Sequence, residues 1–121
     1  MRVFPIFAVI AALGVCVAHY LALVHLPTEL NMGDVQRIFY FHVPSAYLCY
    51  LGFIVCFGAS IAYLITRKAK YDLYAYAAAE VGLIFGTVVL TTGPLWAKIS
   101  WGTWWRWEPR LTSMALLILI F

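Results

Sequence analysis

Charge is what this chain has least of. Asp, Glu, Lys and Arg make up 11% of its 121 residues, while 65% are hydrophobic. A soluble globular domain carries about a quarter charged residues, so that class is excluded. The few charges are also confined: residues 3–24 and 43–66 contain none, leaving uncharged runs of 22 and 24 residues. A helix rising ~1.5 Å per residue needs ~20 apolar residues to cross a bilayer's hydrocarbon core. Both runs are long enough, and the chain is expected to be an all-α integral membrane protein.

Cysteine is also scarce, with three residues in the chain. Cys16, Cys49 and Cys56 all lie inside apolar stretches, with no Cys-x-x-Cys pair and no Cys-x-x-Cys-His. The chain therefore has no motif for attaching haem covalently to itself, and the three thiols read as small buried apolar side chains. The first run is expected to be a retained helix rather than a cleaved signal peptide. Its charged leader is only Arg2, its apolar core exceeds the usual signal length, and Val15 before Cys16 spoils a lipoprotein box. No charge run calls for a nucleic-acid partner. Membrane lipid is the first partner that the composition requires.

The predicted elements follow from this patterning. Helices are expected at about 3–24, 43–66 and 73–92. Pro44 suits the first turn of the second, and Gly93-Pro94 closes the third. Between the first two lies a polar loop, 25–42, in which Asp34 is placed to cap a short interfacial helix over 35–41. A fourth apolar run, 111–121, follows Pro109 and is 11 residues long, about half a span. The chain is thus expected to be one membrane domain, 1–121, with three transmembrane helices and the start of a fourth from a longer polytopic protein. Basic residues divide evenly between the two sides. Arg2, Arg67, Lys68 and Lys70 fall on one, Arg37, Lys98, Arg106 and Arg110 on the other, so counting them does not orient the chain. If the second set binds an anion, it leaves the count and the amino terminus is cytoplasmic.

Tryptophan is concentrated as strongly as charge is excluded. All five indoles fall within residues 96–107, at Trp96, Trp101, Trp104, Trp105 and Trp107. An aromatic belt at the headgroup level is one reading. A belt is shared between both membrane faces, however, and this cluster lies on one side only. The other reading is a platform for a flat ligand. Trp101, Trp104 and Trp105 at i, i+3 and i+4 would share one helix face, extended by Trp107. Lys98, Arg106 and Arg110 surround the cluster, and Glu108 sits between the arginines as a salt-bridge partner. Arginine forks grip carboxylates, so an apolar plane with carboxylate tails, such as haem, suits the segment. Anionic lipid headgroups would also satisfy three cations.

Histidine adds a further element. His42, just before Val43-Pro44, falls on the tryptophan side, where a neutral imidazole could be an axial ligand to haem iron. A surface histidine or helix-end donor is the plainer alternative. His25 is a weaker candidate on the same loop, and His19 is expected to hydrogen-bond a neighbouring helix. Glu80, inside the third helix among Ala77, Ala78, Ala79 and Gly82, is expected to face the bundle interior.

Two segments then carry a resemblance. "TTGPLWAKISWGTWWRWEPRLTS" resembles the tryptophan-rich signature, the WWD domain, of the haem-handling proteins of cytochrome c biogenesis. "VQRIFYFHVPSAY" resembles the segment before the second helix in the haem exporter protein C (CcmC) type. The resemblance implies a six-helix inner-membrane protein, of which this chain is half. Its amino terminus would be cytoplasmic, with loop 25–42 and the tryptophan-rich segment 96–112 periplasmic. It implies haem b held non-covalently against Trp101, Trp104, Trp105 and Trp107, with His42 as one axial ligand and a second histidine beyond Phe121. Lys98, Arg106 and Arg110 become candidate propionate partners, oriented by Glu108. The family usually has Asp at that last position. The resemblance further implies partnership with an ATP-binding-cassette complex and transfer of haem to a periplasmic haem chaperone, without turnover chemistry. A CcsA-type haem channel and cytochrome c haem lyase subunit, suggested by Pro109, is one rival. A non-haem subunit anchored by its tryptophans is the other.

Overall fold

A computed structural model of the protein describes residues 3–121; Arg2, counted above among the basic residues, lies outside them. The described residues are helical apart from short connections, with an isolated bridge between Glu29 and Gly33. Val3–His25, Asp34–Thr66 and Ala69–Trp101 are each long and apolar enough to cross a membrane. The chain divides into two compact units, residues 1–37 and 38–121.

The first unit is built on α1, Val3–Tyr20, whose end widens into a π turn, Leu21–His25. Its large apolar side chains are exposed along the whole length, from Phe4 at 79% to Val24 at 66%. Such exposure suits a helix whose solvent is lipid. His19 donates Nδ1–H to the Val15 carbonyl of its own helix at 2.7 Å. The carbonyls at the end of the π turn are gathered by one side chain. The Arg37 guanidinium donates to the carbonyls of Ala22, Leu23 and Leu26, while its Nε bonds Asp34 at 3.1 Å. A cation at a helix C-terminus satisfies orphan carbonyls and opposes the macrodipole. Asp34 therefore anchors Arg37 rather than capping a separate helix over 35–41. Asp34–Ile38 is a 3₁₀ turn that ends where the next helix begins.

The second unit holds α2, Phe39–Thr66, α3, Ala69–Trp101, and α4, Pro109–Ile120. Arg67, in the left-handed conformation at φ 54°, turns α2 back onto α3. The two helices meet almost backbone to backbone. A Cβ on residue 52 would lie 2.8 Å from Gly82 Cα and 2.9 Å from the Ala78 carbonyl, a small-residue contact of the kind that joins helices in lipid. Nearer the tryptophan end, Cys49, Phe53, Val89 and Met114 form a buried core to which α2, α3 and α4 all contribute.

Three helix ends differ from expectation, the first being the start of the third helix at Ala69 rather than 73. The second helix starts at Phe39 rather than 43, because the preceding 3₁₀ turn already supplies a nucleus, so Pro44 stands inside it. The third continues through Gly93-Pro94 for two more turns, to Trp101. A proline costs about 3 kcal/mol within a helix, but packing on α2 on both sides of it offsets that loss. Glu80 is exposed rather than interior. The face of α3 turned toward its partners carries Ala75, Gly82, Gly86 and Val89, and Glu80 is ~200° around the helix from Gly82.

Candidate functional site

The extra turns of α3 matter because of where they lead. Its 33 residues make a helix of ~50 Å, ~20 Å longer than a hydrocarbon core. The tryptophan end of α3 and the facing start of α2 thus reach the headgroup region together. There the helices part around a cleft of about 380 Å³, within the size range of small-molecule sites. Each wall follows helical spacing. From α3 come Val89, Gly93, Ala97 and Trp101 at intervals of four, with Trp96 beside them. From α2 come Phe39, His42, Val43, Ala46 and Tyr50, and from α4 Arg110, Leu111 and Met114.

The chain then folds over the cleft. Gly102, at φ 76°, ends α3 by donating its N–H to the Lys98 carbonyl at 3.1 Å, a left-handed cap that a side chain would strain. Trp104 and Trp105 consequently lie in the loop that follows and not on a helical turn with Trp101. The reversal, rather than an i, i+3, i+4 face, brings all three indoles to the cleft. Pro109 opens α4 at its first position, where a missing N–H has no cost.

Of the residues singled out in the sequence, His42, Trp101, Trp104, Trp105 and Arg110 line the cleft; Trp107, Lys98, Arg106 and Glu108 do not. Trp107 is 84% exposed. The two outlying cations support the indoles from behind. The Arg106 guanidinium lies 4.9 Å from the Trp101 ring, and Lys98 Nζ lies 5.9 Å from Trp104 while bonding the Gly102 carbonyl at 3.1 Å. Glu108 accepts from Arg110 Nη2 at 3.2 Å, so Arg110 is the one cationic side chain of this set held at the rim. His25 ends the π turn of the other unit.

Trp96 is the residue that sequence reasoning left out of the platform. Its place depends on α3 passing Gly93-Pro94, which local rules argue against. Its indole is distinctive: Trp96 Nε1 and Trp105 Nε1 are both buried with no hydrogen-bond partner among the described residues. A buried unmatched donor costs about 1–3 kcal/mol, a cost that these two indoles carry in this structure. His42 lies opposite, its Nδ1 2.9 Å from Thr92 Oγ1. Among the described residues no three His, Cys, Asp or Glu side chains come together to cage a metal ion. The cleft offers a single imidazole, which suits a metal that arrives with most of its coordination already filled.

Comparison with known proteins follows the same direction. The family model described as Heme exporter protein C matches residues 1–121. The chain is similar, at 36% identity over 104 residues, to a cytochrome c biosynthesis ccmC-like mitochondrial protein of Marchantia polymorpha. That match covers 86% of this chain and 46% of the relative. It is 38% identical over 95 residues to Heme exporter protein C of Rhodobacter capsulatus, and 34% identical over 96 residues to that of Escherichia coli. Each of these covers 78% of this chain and 39% of the relative. The chain spans less than half the length of these curated relatives.

Proposed function

The chain belongs to the haem exporter protein C family, and on that premise we propose that its cleft binds haem b non-covalently for c-type cytochrome maturation. The observation that carries this reading is the composition of one cleft. It unites an imidazole, three stackable indoles and an arginine at the rim. A tetrapyrrole needs each of these: apolar faces to stack on, a cation for its carboxylates, and one nitrogen for an axial position. In this reading His42 supplies that nitrogen, and a second axial histidine lies beyond Phe121. Trp101, Trp104 and Trp105 form the platform, with ring contacts worth roughly 0.5–1.5 kcal/mol each beyond buried area. Arg110, steadied by Glu108, takes a propionate. Arg106 and Lys98 hold the platform's back. Trp107 serves as an interfacial anchor.

Haem would be the cargo of this site, and the residues here would bind, orient and shield it. The protein is therefore proposed to handle haem rather than turn over a substrate. It would sit in the bacterial inner membrane with its amino terminus cytoplasmic and its tryptophan end periplasmic. It would work beside an ATP-binding-cassette complex and pass haem to a periplasmic haem chaperone.

Absorbance spectra of the complete protein, purified and then titrated with haem, test this. A Soret band is expected on purification. Trp104→Leu, which keeps apolar bulk but loses the ring, is expected to weaken haem binding about twofold to tenfold, the equivalent of a stacking contact of ~0.5–1.5 kcal/mol. Trp107→Phe is expected to leave binding unchanged. A complete protein that neither carries nor takes up haem would return the tryptophans to the role of membrane anchor.

A further inference from the structure

His42 presents two ring nitrogens, and only one with a free lone pair can ligate a metal. The neighbouring hydrogen bonds determine which it is. Thr92 Oγ1 lies 2.7 Å from the Val88 carbonyl oxygen, one turn back on α3, and 2.9 Å from His42 Nδ1. A carbonyl only accepts, so the single hydroxyl proton of Thr92 is committed to Val88. The oxygen then has only lone pairs to offer Nδ1, and the proton between them must belong to the imidazole. Nδ1 is N–H, and Nε2 keeps its lone pair.

The seat of the ring is as specific as its bond. A Cβ on residue 93 would lie 3.2 Å from His42 Cε1 and 3.9 Å from Nδ1, so the imidazole rests directly against the α3 backbone. Thr92 and Gly93 are adjacent, and both stand at the point where α3 passes Pro94 instead of ending. The continuation past Pro94 carries Trp96 and Trp101 to the cleft, while the Thr92–Val88 bond lies within the stretch of α3 expected from the sequence.

We infer that Thr92 is a positioning residue that fixes His42 in the Nδ1–H tautomer and so reserves Nε2 for a ligand in the cleft. For its consequence the inference rests on the haem reading; the tautomer itself does not. Partners of this kind, which donate or accept at the far nitrogen of a ligating histidine, orient the ring before the metal arrives.

The experiment separates the two. The complete protein is labelled with ¹⁵N-histidine, freed of haem and examined in detergent at mildly alkaline pH, with His42→Gln identifying the His42 signals. Wild type is expected to show a directly bonded proton at Nδ1. Thr92→Val, of equal shape but without the hydroxyl, is expected to lose that preference and populate the Nε2–H form. Thr92→Ser, which keeps the oxygen, should retain it. On titration with haem, Thr92→Val should bind about tenfold more weakly, at the low end of the ~10–100-fold effect of such partners, and Thr92→Ser nearly as wild type. An Nε2–H tautomer in wild type, or a Thr92→Val protein with unchanged tautomer and unchanged haem affinity, overturns the inference. A protein showing the expected tautomers but taking up no haem overturns the haem reading instead.

Discussion

Replacing His42 with alanine is expected to cut the haem affinity of the complete protein by about a hundredfold and to shift as well as weaken its Soret band. The size of the effect follows from what remains. Trp101, Trp104 and Trp105 still offer their faces, and Arg110 still stands at the rim, so stacking and carboxylate contacts persist. The axial nitrogen does not, and no other His, Cys, Asp or Glu among the described residues joins a metal-binding cluster that might replace it. A direct ligand should weigh at least as much as the outer partners whose loss costs ~10–100-fold. The vacated space lies against Gly93, so free imidazole is expected to enter it and restore much of the wild-type spectrum. That rescue distinguishes a lost ligand from a protein that no longer folds. An unaltered spectrum and haem content in His42→Ala would remove His42 from the site.

The second large effect lies away from the cleft. Gly52→Val should destabilise the helical pair by the upper end of the ~1–3 kcal/mol range for overpacking, and lower haem retention with it. The new Cβ would meet Gly82 Cα at 2.8 Å and the Ala78 carbonyl at 2.9 Å. Both are backbone atoms, which no rotamer change can move aside. Carbon atoms prefer about 3.5–4.0 Å, so α2 and α3 must separate by a substantial fraction of an ångström. The cleft walls belong to the same two helices, and Tyr50, two residues from Gly52, is one of them. Gly58 provides the control, since a Cβ there meets nothing within 4 Å. Gly58→Val is expected to melt within a few degrees of wild type in detergent, while Gly52→Val melts well below it. Equal melting temperatures would mean that the close contact at Gly52 does not hold the pair together.

Much of this architecture was legible because it rests on composition. Uncharged runs of helical length placed the spans, since a bilayer core tolerates no unpaired backbone and few charges. His42 and the tryptophans were visible as rare residue types in a chain of aliphatic ones. The platform's internal arrangement was not legible. A local rule ends a helix before Gly-Pro, and by that rule Trp96 belongs to a loop. Spacing alone put Trp101, Trp104 and Trp105 on one helix face, whereas Gly102 breaks the helix between them. The three cations looked equivalent in sequence. In the structure Arg106 and Lys98 lie against indoles, and Arg110 alone of them reaches the cleft.

The sequence by itself determined the solvent: so little charge, so confined, leaves a membrane as the only medium in which these helices are stable. It also determined that indoles, cations and an imidazole gather at one end, because helix length and hydropathy set depth in the bilayer. Tertiary structure decided which of them meet. Packing along α2 outweighs the hydrogen bond that Pro94 removes, so α3 runs on to Trp101, and only that continuation carries Trp96 and Trp101 to the cleft that His42 lines. A proline's cost is local and can be read from the chain. The contacts that offset it come from residues some fifty positions away, and no local pattern records them.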